Sequence, residues 1–130
     1  MMKSISTNSQ KMAHAAYRAI AEKPVTKEFK SFARGFPTMA HTSGLAQAIA
    51  FAQGKGEIHH VRYLEIMAEV LKVVGCGDFQ DVKAMGEFVR TAEVGEYMRL
   101  SRRAFVAADW IKRYAEALAP EKAVTVGDQK

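Results

Sequence analysis

Apolar positions recur at helical spacing along most of the chain, and no run of β-branched residues alternates with polar ones, so the pattern predicts an all-α fold. In KEFKSFARGFP, residues Phe29, Phe32, Ala33 and Phe36 have the i, i+3, i+4, i+7 spacing of a buried stripe. A first helix is expected after the polar Thr7, Asn8, Ser9 cluster and up to Lys23, because Pro24 disfavours helical geometry in the residue before it. Thr26 can cap a second helix, in which Pro37 predicts a kink or break. A third helix is expected over 44–53, with Leu45, Ala48, Ile49 and Ala52 inward and Gly54, Lys55, Gly56 as its stop. The fourth, over 57–74, places Val61, Leu64, Ala68 and Leu71 inside and Arg62, Glu65, Glu69 and Lys72 outside.

Asp78 is the expected cap of a short fifth helix through Val82, Met85 and Val89, weakened by Gly86. A long last helix over 93–118 follows, with Leu100, Ala104, Ala107, Ile111 and Leu118 as its core side. These elements make a compact single-domain bundle of five or six helices over 10–119, with a flexible start over 1–9 and a disordered tail over 120–130.

The 130 residues and 48% hydrophobic content suit one core without staples. Charge changes the picture more. Residues 1–56 carry eight lysines and arginines against two acidic side chains, residues 57–96 four against eight, and residues 97–130 seven against four. Such polarity suits a polyanion on one side and a basic protein neighbour on the other; scattered solvated faces are the alternative. The single cysteine, Cys76, excludes an internal disulfide and fits a cytoplasmic, reducing compartment. The chain's start has no continuous apolar region, and no stretch reaches the roughly 18 apolar residues of a membrane span, so no membrane partner is expected.

Candidate chemistry is electrostatic. On the last helix, Arg99, Arg102, Arg103 and Arg113 share an arc away from the core side, with Lys112 beside them. Lys27, Lys30 and Arg34 group on the second helix, and Lys11 and Arg18 lie one heptad apart on the first. These ten residues are the candidate phosphate contacts; ordinary solvated faces, with pairs such as Asp109 to Arg113, are the alternative. Trp110 falls inside the arginine arc, where it either stacks a base or packs against a neighbouring helix.

Other chemistry finds little support. Adjacent His59 and His60 diverge by about 100° on a helix and no cysteine or histidine follows at ligand spacing, so neither a metal site nor a cofactor is expected. Cys76, between Gly75 and Gly77, reads as accessible but lacks a resolving cysteine or a base. Glu65 and Glu69 read as part of a solvated charge stripe, and no active site is specified.

KEFKSFARGFPTMAHTSGLAQAIAFAQGKG, followed by EYMRLSRRAFVAADWIKRYAEALA, resembles the small helical subunit of the type III-B CRISPR effector, the Cmr complex. The resemblance spans about 10–118 and rests on the order of Phe36, Pro37, the Ser43, Gly44, Leu45 step into Gln47 and Phe51, and the Trp110 to Arg113 block. It implies a non-enzymatic protein whose copies line a filament of backbone subunits with guide RNA, and which helps hold the target RNA strand by its backbone. Small subunits of type III-A and type I complexes are the nearest confusable relatives, and a helical adaptor binding protein alone is the rival from another class.

Overall fold

The computed structural model describes residues 6–120. Six helices follow in order, α1 (Asn8–Ala21), α2 (Lys27–Ser43), α3 (Leu45–Lys55), α4 (Ile58–Lys72), α5 (Val82–Thr91) and α6 (Val94–Ala117), with no strand among the described residues. The all-α expectation holds, and the tail from 121 onward lies outside the described residues.

Local chemistry accounts for the boundaries. Thr7 caps α1 in a capping box with Gln10, so the helix starts inside the polar cluster and not after it. Thr26 accepts the Phe29 amide at the start of α2. Helix α2 runs unbroken through Pro37: one amide donor is missing, but Phe36 and Ala40 are both buried and packing carries the helix past the gap. The cap of α5 is Asp81, whose carboxylate accepts from the Ala84 amide, and not Asp78, which lies within 4 Å of Lys72 instead.

Helix α6 packs against both α1 and α2 and also touches α4, while α5 covers the α3–α4 side. The core is centred on Tyr63 of α4, whose ring meets Phe36 at 4.6 Å, Phe32 at 5.2 Å and Phe29 at 6.1 Å between centroids. Phe29, Ala33 and Phe36 are fully buried as expected, and Phe32 is half-buried. Burying each large apolar side chain contributes about 1.5–3 kcal/mol, offset in part by the Tyr63 hydroxyl, which is buried without a hydrogen-bond partner.

Helix α4 departs from its expected stripe. Val61 is 38% exposed and Ala68 half-buried, whereas Tyr63, Ile66, Met67 and Val70 join Leu64 and Leu71 inside. The helix is covered by α1, α2, α3, α5 and α6, so its buried arc is wider than a single stripe. Arg62, expected outside, reaches across to the end of α1 and donates to the carbonyls of Ile20 (3.0 Å), Lys23 (2.9 Å) and Pro24 (2.8 Å). Its guanidinium lies 4.6 Å from the Phe29 ring centroid. A cation placed on the free carbonyls of a helix C-terminus satisfies both the hydrogen bonds and the helix dipole.

Candidate nucleic-acid interface

Two turns of α1 put Lys11 and Arg18 on one side of the helix. With His14 they line a cavity of about 320 Å³ whose other wall holds Glu69 of α4 and Val73 just after it, with Glu22 at the α1 end. This basic pair therefore faces carboxylates across a mixed-charge groove.

On α2, Lys27, Lys30 and Arg34 follow one face. Lys27 lines a cavity of about 430 Å³ with Ser31, Phe32, Phe51, His59 and His60. Lys30 is half-buried. Arg34 reaches α6, where its Nε lies 3.6 Å from Glu116 Oε2, with the two side chains 57% and 40% exposed. An ion pair that open contributes well under about 1 kcal/mol and leaves the arginine available to another anion. Glu116 follows Arg113 by three residues and Lys112 by four, which places all three on one side of α6 near its C-terminal end, the side that Arg34 reaches.

The other α6 arginines point elsewhere. Arg99 and Arg103 stand near Cys76, where their charges partly offset the burial that pushes its thiol pKa up. Cys76 is half-buried, less open than its glycine neighbours suggest. Arg99, Arg102 and Arg113 are exposed, while Arg103 and Lys112 are half-buried. Among the described residues, Arg34 is the one candidate engaged in an ion pair, and no Asp109 to Arg113 pair forms within 4 Å. Lys11 and Arg18 thus line an α1–α4 groove, Lys27 the cavity beside His59, Arg34 an α2–α6 seam, and Arg99 and Arg103 stand near Cys76, so the candidates do not form one patch.

Trp110 takes the packing role. Its ring lies 5.7 Å from Tyr114 with the planes 15° apart, Tyr17 meets Tyr114 edge-on at 5.4 Å, and the indole N–H donates to Ser9 Oγ at 3.0 Å. One face and the only donor of the indole are therefore engaged within the fold.

Lys55, expected in the stop after the third helix, belongs to the helix instead. It is the last residue of α3 and its Nζ sits 5.5 Å from the ring centroid of Phe51, itself 44% exposed. The i, i+4 spacing of an aromatic and a lysine was the available signal. No described helix is long and apolar enough to cross a membrane.

The family model described as CRISPR-associated protein (Cas_Cmr5) matches residues 8–118. The CRISPR system Cmr subunit Cmr5 of Thermus thermophilus is 33% identical over 118 residues, covering 88% of this chain and 98% of that protein. The crystal structure of a CRISPR-associated Cmr5 family protein from the same organism superposes with a TM-score of 0.77 at 33% identity, over 88% of this chain and 100% of that one.

Proposed function

The chain belongs to the Cas_Cmr5 family of CRISPR-associated proteins, and from that premise we propose that it is a non-catalytic small subunit of a type III-B Cmr complex that helps hold the target RNA strand. The observation that carries the reading is the match to a Cmr subunit over nearly its whole length, joined to the α2–α6 seam. There Arg34 pairs loosely with Glu116, Arg113 and Lys112 stand three and four residues before that carboxylate on α6, and Lys30 lies one turn from Arg34. Such a seam suits a phosphate backbone, which is recognised by charge and position without reading of bases. Guide pairing supplies the sequence specificity in this scheme, so the subunit needs no base-reading pocket.

Copies aligned along the complex would place weak phosphate sites in series and raise their joint affinity through effective concentration. The acidic stretch 57–96 is the surface offered to basic neighbours, whether backbone subunits or sister copies. The test is affinity purification of the tagged chain from its native host, with mass spectrometry of bound proteins and sequencing of bound RNA. Several CRISPR subunits with repeat-derived guide RNA is the expected result. A single protein partner without RNA would replace this reading with a protein adaptor.

A further inference from the structure

The first turn of α4 brings together three metal-ligating side chains that helical spacing alone would separate. Glu57 is the N-cap, with extended backbone at φ −78° and ψ 164°, which lets its side chain fold back over the first turn, where His59 and His60 are the second and third helical residues. Glu57 Oε1 lies 3.8 Å from His59 Nε2, and the two imidazole centroids are 4.1 Å apart. One ligand atom from each of the three lies within 4.8 Å of the other two.

His60 carries the second observation. It is only 7% exposed, and its Nδ1 is buried without a hydrogen-bond partner. A histidine kept in a core for structure pairs its ring nitrogens, whereas this ring is fixed by packing alone. Phe32 meets it edge-on at 4.7 Å and Phe51 at 6.3 Å, and Phe32 also touches His59 at 6.4 Å.

We propose that Glu57, His59 and His60 form a binding site for a borderline divalent transition-metal ion, with zinc the best fit. Two imidazoles and one carboxylate are a zinc-type donor set that leaves a further position for water. His59 and His60 line the cavity of about 430 Å³ that Lys27, Glu28 and Ser31 also line, which has room for a water beside them. The N-terminal end of α4 opposes a cation, and the Glu57 carboxylate supplies the compensating charge.

The test is titration of the tag-free, chelator-stripped full chain with Co²⁺, followed by visible absorption and then by competition with Zn²⁺. One equivalent of saturable absorption, displaced by Zn²⁺, is expected. His59→Ala and Glu57→Gln should each weaken binding by about tenfold or more, while His14→Ala and His41→Ala leave it unchanged. Glu57 is 68% exposed at its side chain, so its variant should fold, and a melting curve without metal checks this. Absence of saturable binding, or undiminished binding by His59→Ala and Glu57→Gln, overturns the site.

Discussion

The Tyr97 hydroxyl, at the start of α6, accepts the backbone N–H of Ala46 at 3.0 Å and so caps a helix 51 residues earlier in the chain. Helix α3 needs this because its own N-cap is Gly44, held at φ 92° between α2 and α3, with no side chain to accept the free amides. Tyr97→Phe keeps the ring and removes the acceptor, leaving the part-buried Ala46 amide unpaired. The expected loss is about 1 kcal/mol in a urea melt. Faster amide exchange confined to the first turn of α3 would locate it.

Arg62 is the charged side chain whose loss should cost most in stability. Its guanidinium satisfies three carbonyls where α1 ends and covers Phe29. Arg62→Met retains much of the packing but abandons those acceptors, so destabilisation of about 2–3 kcal/mol is expected in chemical denaturation. Arg62→Lys should recover only part of it, because an ammonium cannot span the same fork of acceptors. Arg113→Ala, at an exposed position, should stay within about 0.5 kcal/mol of the parent.

Helix order and most core positions were legible because caps and apolar spacing are local signals. Thr26, the Gly44 and Gly56 stops, and the Phe29, Ala33, Phe36 stripe all report on neighbours within two turns. What sequence did not show depends on partners far along the chain. Arg62 looks like any outward arginine until the end of α1 is set beside it, and Tyr63, Met67 and Val70 take core places because α4 is surrounded on so many sides. The basic residues were legible as helix faces, but which faces meet required the α2–α6 contact through Arg34 and Glu116. His59 and His60 were kept apart by ideal helical angles, and it is the extended N-cap at Glu57 that completes their cluster.

Cys76 should behave as a sluggish thiol. Burial raises its pKa above the usual 9.0, with Arg103 and Arg99 acting in the opposite direction. Its iodoacetamide alkylation rate should therefore reach half-maximum at higher pH than that of a free cysteine, since the thiolate is the reacting form. Arg103→Ala removes the larger offsetting charge and should move the profile further upward. The sign also applies to stability: the folded protein resists ionising this group, so its contribution is intact below the unfolded thiol's pKa and is lost as pH rises beyond it.

The strongest discrimination between an RNA-holding subunit and a protein adaptor comes from salt dependence. Arg34, Lys112 and Arg113 are the seam's candidates, whereas Arg62 spends its guanidinium on carbonyls and has no phosphate contact to lose. Each phosphate contact removed by Arg113→Ala, Lys112→Ala or Lys30→Ala should reduce the steepness of log K against log salt by about 0.7 unit for single-stranded RNA. Arg62→Met should leave that slope unchanged while lowering stability. Charge reversal at Arg34 adds repulsion with Glu116 and should weaken RNA binding beyond simple truncation. If RNA affinity in the assembled complex is indifferent to all three truncations, the seam does not hold RNA and its charge serves a protein neighbour instead.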